Sequence, residues 1–232
     1  MHGSRIATLA ANALRVAVSI AFATVPAVGL AGIVGAEPTA TQVITLVPVG
    51  PNGEPINGFR EAPSQSNVND VVDCTTPSPA AVADDIYACS PSAASADVCW
   101  PSTPGSLLCV DDPWDMELYR VSYSDQLPHV QPVAQPQPLA LLLDDNTRCR
   151  LRNGGAWGGR QDGYVGAYSC GPANSNLAVL VQPGQGATAA IDRSMPVWTV
   201  KIGPLGSPTA VFPPPQTHTV TTAWFAGDFV PV

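Results

Sequence analysis

Arg148-Cys149-Arg150-Leu151-Arg152, followed by Asn153-Gly154-Gly155 and, after a glycine-rich loop, by Tyr164-Val165-Gly166-Ala167-Tyr168-Ser169-Cys170, is the stretch that decides the fold. Alternate residues of a strand share a face, so Cys149 and Leu151 point one way and the three arginines the other. Placing Cys149 opposite Cys170 sets an antiparallel register in which Leu151 faces Tyr168, Asn153 faces Gly166, Arg150 meets Ser169 and Arg152 meets Ala167. Each pair is chemically compatible. A slip of one residue would set arginine against tyrosine and separate the cysteines. The spacing therefore predicts a disulfide-closed β-hairpin with an apolar inner face.

Outward from this hairpin the strand signals recur. Leu139–Leu143, Leu177–Val181, Val197–Ile202 and Thr219–Phe225 are short strand-like runs bounded by Gly, Pro, Asn or Asp. Regularly spaced short strands indicate an antiparallel sandwich or barrel. Upstream, Cys99-Trp100 and Leu107-Leu108-Cys109 flank the turn residues Pro101 to Ser106, and Leu118 to Tyr123 alternates as a further strand. Ser78-Pro79 before Ala80 to Ala88 is a helix-start signal, a serine cap followed by proline at the first helical position. With 25 prolines and 12% charged residues, long helices are disfavoured. The expected fold is mainly β: an antiparallel sandwich or barrel with disulfides, one short helix, an extended N-terminal arm and an N-terminal signal helix. The expected organisation is a signal peptide over 1–36, an extended polar arm over 37–70, and a cysteine-rich β subdomain with the short helix over 71–130. A Pro/Gln-rich connector over 131–138 and an antiparallel β domain over 139–232 follow.

The first fifteen residues carry Arg5 and Arg15 and no acid, and Val16 to Ala36 is uncharged. Val34-Gly35-Ala36 before Glu37-Pro38 has the small residues that signal peptidase accepts. The alternative is an uncleaved anchor, since about 20 apolar residues span a bilayer. Export is the expectation, with a secreted or cell-envelope location. Cleavage after Ala36 would leave eight basic residues against eighteen acidic ones, a net charge of −10. That repels nucleic acid and anionic lipid at long range. In an exported chain Cys74, Cys89, Cys99, Cys109, Cys149 and Cys170 read as three disulfides. Six cysteines allow fifteen pairings. The hairpins suggest Cys99–Cys109, leaving Cys74–Cys89 beside the Cys149–Cys170 bridge.

Sites are harder to read. Trp157 and Arg160, in the loop from Gly155 to Gly163, are candidate ligand contacts, an aromatic for stacking and a guanidinium for a carboxylate or phosphate. The competing reading folds Trp157 back over the core and pairs Arg160 with Asp162. The stripe Arg148, Arg150 and Arg152 is either a solvated face balanced by Asp144 and Asp145 or a contact for an anionic envelope polymer or partner. No cofactor is expected, and His129 and His218 are too far apart in sequence to suggest a metal site. The doublets Asp84-Asp85, Asp111-Asp112 and Asp144-Asp145 are not catalytic pairs by themselves, because neighbours on a strand face opposite ways. One acid from each of two doublets would make such a pair. Asp111, Asp112, Asp115 and Glu117 lack the complete calcium-loop pattern, and the motifs of serine hydrolases, zinc proteases, phosphate loops and dinucleotide folds are absent.

The run from Arg148 to Arg160 continuing to Tyr168-Ser169-Cys170, with Ile191-Asp192-Arg193-Ser194, Val197-Trp198-Thr199-Val200 and Thr219 to Trp224, resembles a group of exported actinobacterial (mycobacterial-type) proteins of unknown function. The resemblance covers roughly residues 98–227 and implies compartment and lineage; it carries over no catalytic residue. The leading functional expectation is a non-catalytic binding or structural protein, secreted or envelope-associated, with an envelope polymer or protein as partner. The alternatives are a secreted hydrolase of envelope sugars or esters and a small-ligand carrier with a barrel cavity.

Overall fold

The computed structural model describes residues 39–63, 71–90, 96–123, 126–152 and 157–228. The signal segment expected over 1–36 and Asn153 of the hairpin lie outside them. Residues 38–232 form one compact unit. Its strands are β1 (Gln42–Leu46), β2 (Arg60–Glu61), β3 (Val71–Pro77), β4 (Tyr87–Ser90), β5 (Cys99–Pro101), β6 (Ser106–Val110), β7 (Glu117–Tyr123), β8 (Ala140–Leu143), β9 (Arg148–Leu151), β10 (Val165–Cys170), β11 (Leu177–Val181), β12 (Ile191–Asp192), β13 (Trp198–Pro204) and β14 (Gln216–Ala226).

Of the two expected architectures the barrel is the one observed. Strands β8, β9, β10, β11, β13 and β14 pair in that order, every pair is antiparallel, and β13–β14 pairing closes the ring. β1 adds to β14 in parallel and β12 adds to β13, so the arm contributes an edge strand. The deciding hairpin has the expected register over three pairs, Cys170 opposite Cys149, Ser169 opposite Arg150 and Tyr168 opposite Leu151, but the ladder stops short of the expected Arg152–Ala167 pair, where β10 bulges at Ala167. Alternation then fills the interior. Leu141, Leu143, Cys149, Leu151, Tyr168, Val179, Val200 and Val220 are all buried in one cluster. A ring of six strands has room only for its own side chains, since even about eight strands enclose little more.

The cysteine-rich stretch closes a second, smaller ring. β3, β4, β5, β6 and β7 pair in sequence, and a parallel β7–β3 pairing joins the ends. On β6, Leu107 and Cys109 face one apolar cluster while Leu108 and Val110 face the cluster shared with the barrel. Trp100 ties the two together, its Nε1–H donating to the Gly227 carbonyl at 2.8 Å. The three disulfides are Cys74–Cys89, Cys99–Cys109 and Cys149–Cys170.

The short helix is not where the sequence suggests it. Residues 79–85 are turns that lead into β4, and the short helical element is a 3-10 turn at Ala187–Ala190. The cap-like bond is present, with Ala80 N–H donating to Ser78 Oγ at 3.2 Å. Tertiary partners then redirect the chain. Asp85 sits at φ 57° while its carboxylate accepts from Val130 N–H and the Tyr87 hydroxyl, and Ala81 pairs with Ala226 of β14. Those bonds outweigh the modest helical preference of an alanine-rich run. No described helix is long and apolar enough to cross a membrane.

Candidate functional site

Outward-facing positions of β9 form one wall of a groove of about 900 Å³, and the loop after β6 forms the other. Arg148, Arg150, Arg152 and Ser169 lie on the barrel side; Asp112, Trp114 and Asp115 lie on the loop side. The turns 145–147 and 171–175, both beside the Cys149–Cys170 end of the hairpin, complete the lining. Local sequence sets these pieces. Asp112 Oδ1 accepts the N–H groups of Trp114 (2.8 Å) and Asp115 (3.1 Å), an aspartate turn that projects Trp114 inward. Asp145 accepts Thr147 N–H at 2.9 Å in the β8–β9 turn, where Asn146 takes φ 65°. Gly171, at φ 78°, turns the chain after β10.

Two members of the arginine stripe, Arg148 and Arg150, are engaged across this groove. The Arg148 guanidinium lies 5.1 Å from the Trp114 ring centroid, and Arg150 pairs with Asp111. Arg152 lies 4.6 Å from the Trp157 ring. Trp114 also meets Trp224 edge-on at 5.6 Å. Desolvation pushes the Asp111 carboxyl up against the opposing pull of Arg150, and because 53% of the side chain is exposed the shift is screened by solvent. The lining carries three arginines and three aspartates, so the groove has no formal excess of either sign.

The two loop candidates sit elsewhere. Trp157 packs beside Ala178, Leu180, Leu205 and Tyr164 on the outer face of the barrel wall. Arg160 is 3% exposed. It forks onto Asp162, with Nε and Nη2 at 2.9 and 2.8 Å, and donates to the carbonyls of Pro204 (3.1 Å) and Pro213 (2.8 Å). Its hydrogen-bonding capacity goes to holding the 204–213 segment, as in the second of the two readings of this residue.

His129 and His218 each meet an aspartate doublet. His129 Nδ1 lies 3.0 Å from Asp85 and its Nε2 3.8 Å from Asp84. His218 Nδ1 lies 2.8 Å from Asp144 and 3.8 Å from Asp145. Asp144 also accepts from Thr219 N–H and Oγ1. Burial nudges the Asp144 carboxyl up, but the bonds from His218 and Thr219 win and hold it below the ordinary carboxylate range. Asp144, Asp145 and His218 bring their ligand atoms within 4.8 Å of one another, a donor set that would suit a divalent ion. The acidic run at 111–117 is spread over separate partners: Asp111 on Arg150, Asp112 on its own loop, Glu117 on Arg60.

Sequence reasoning singled out the arginines and missed what faces them. Trp114 follows an aspartate doublet and a proline, a turn signal that gives no sign of which surface the loop meets. That Asp112 and Asp145, one from each of two doublets, line the same groove depends on how the two rings pack. Comparison of the chain with family models, curated proteins and solved structures finds no match.

Proposed function

We propose that this is an exported, non-catalytic binding protein, secreted or held at the cell envelope, and that it takes an envelope polymer or protein partner in the groove between β9 and the 111–116 loop. The carrying observation is that the arginine stripe lines a groove opposite Trp114, Asp112 and Asp115. Charged and aromatic side chains fixed on two walls suit recognition of an extended polar chain. Three disulfides within two closed sheets fit an oxidising compartment.

The hydrolase alternative has one specific support. Asp112 and Asp145 share the groove, and the nearby Asp111 is shifted toward the protonated form that a general acid needs. Against it, Thr147 N–H holds the Asp145 carboxyl below its ordinary range, Asp112 is committed to its turn, and Asp111 is tied to Arg150. Against the carrier alternative, the inward side chains of the barrel strands are buried together in one apolar cluster.

Co-sedimentation of the purified protein with isolated cell envelopes tests the proposal. Wild type is expected in the pellet, and the double variant Trp114→Ala/Arg148→Ala in the supernatant. Equal pelleting of both would overturn the groove as the site. Release of reducing sugar that disappears in Asp111→Asn would establish the hydrolase instead.

A further inference from the structure

We infer that the ligand of this groove is a segment of neutral, hydroxyl-rich polysaccharide; the inference rests on the groove being the binding site. Charge argues first. A polyanion needs cationic groups in excess, yet three arginines share the lining with three aspartates, and Asp111 adds a fourth carboxylate on Arg150. The chain as a whole carries a formal charge of −8, which repels a polyanion before contact. A polycation meets the opposite obstacle in the arginine row. An apolar ligand would have to desolvate six charged groups without replacing their hydrogen bonds.

A neutral polyol meets none of these obstacles. Each sugar hydroxyl both donates and accepts, so it satisfies an aspartate and an arginine side by side. Arg148 and Arg150 are held in place by Trp114 and Asp111, so less side-chain freedom is lost on binding. Trp114, stacked by Arg148 and half-buried against Trp224, brings its remaining aromatic surface to the lining, and Asn146, Ser169 and Asn174 add uncharged polar groups there. The volume of about 900 Å³ lies within the range of ligand sites.

The test is calorimetry of the full exported protein with dextran, mannan and galactan, set against heparin as the anionic probe, with envelope co-sedimentation run in parallel. A neutral glycan is expected to bind, heparin is not, and affinity should change less than about twofold between roughly 0.1 and 1 M salt, because no net ion pairing is involved. Trp114→Ala and Asp115→Asn should each weaken binding at least about tenfold, a loss of about 1.4 kcal/mol. Asp115→Asn guards against a misfolded tryptophan variant. Binding of heparin alone, or of no glycan while envelope binding stays sensitive to Trp114→Ala, overturns the ligand class and leaves the groove standing. Envelope binding insensitive to both substitutions overturns the groove itself, and the ligand class with it.

Discussion

A Cβ added to Gly166 would lie 2.4 Å from Cε3 of Trp157 and 2.9 Å from Cδ1 of Leu205. The indole therefore rests directly on the β10 backbone, and glycine is required for that approach. Gly166→Ala is expected to cost about 1–3 kcal/mol by forcing the ring away, measured as a lower urea midpoint with a shift of tryptophan emission. An unchanged midpoint would mean that Trp157 can leave its seat freely. Arg160 makes a second residue-scale case. Arg160→Ala leaves the Pro204 and Pro213 carbonyls without their donor and should cost about 2 kcal/mol. Arg160→Lys should rescue little of this, because an ammonium cannot reproduce the planar fork. Thermal melts of the two variants separate charge from geometry; full recovery by lysine would refute the geometric account. At this scale the sequence was informative only locally. Arg160 and Asp162 are two residues apart, so their pairing was foreseeable, whereas the carbonyls that Arg160 reaches lie 44 and 53 positions away.

At the scale of elements, the β9–β10 hairpin was legible because two constraints coincide: a period of two in its side chains and a cysteine at each end. Cys149–Cys170 joins residues 21 apart. Replacing both cysteines with alanine should lower stability by about 3 kcal/mol in the chain-entropy picture, read as a fall in Tm. The arginines of β9 should stay in place, because the Tyr168–Leu151 and Ser169–Arg150 pairs hold the register without the bridge. Loss of envelope binding with only a small Tm change would show that the bridge shapes the groove directly. The misplaced helix at 80–88 has the opposite cause. Its cap and composition were favourable, but such preferences amount to tenths of a kcal/mol per residue. Asp85 gains three partners by turning instead, from Tyr87, His129 and Val130. The groove was half legible on the same grounds: the arginine wall follows from strand periodicity, and the Trp114 wall depends on a long-range packing that periodicity does not encode.

Across the whole molecule the two rings share one hydrophobic cluster, in which Trp100, Leu108 and Leu118 from the smaller ring join Leu141, Tyr168 and Val220 from the barrel. Calorimetry should therefore show one unfolding transition; two resolved transitions would mean that the rings are independent. The acid limb of stability follows from the carboxylates. Hydrogen bonds hold several below their ordinary range: from Arg120 for Glu61, from Thr147 for Asp145, from Arg160 for Asp162 and from Ser194 for Asp192. Asp144 joins them through His218 and Thr219, against the opposing effect of burial. A group whose folded pKa is depressed stabilises fully above its unfolded value, about 3.9 for Asp and 4.3 for Glu, and loses that contribution as pH falls through the folded value. Asp111 has the reverse sign: its raised pKa penalises folding at neutral pH, and the penalty disappears on acidification. Among the described residues, five lowered carboxyl groups against one raised group make stability fall from about pH 4 downward. Most of these pairs are exposed, so each contribution is small and screened by salt. Urea midpoints should thus hold between about pH 7 and 5, decline toward pH 2, and decline less steeply in high salt. A midpoint that rises on acidification would mean that Asp111, whose partner Arg150 stands in the groove wall, dominates the balance. Protonating it would then release Arg150, and envelope binding should change over the same pH interval.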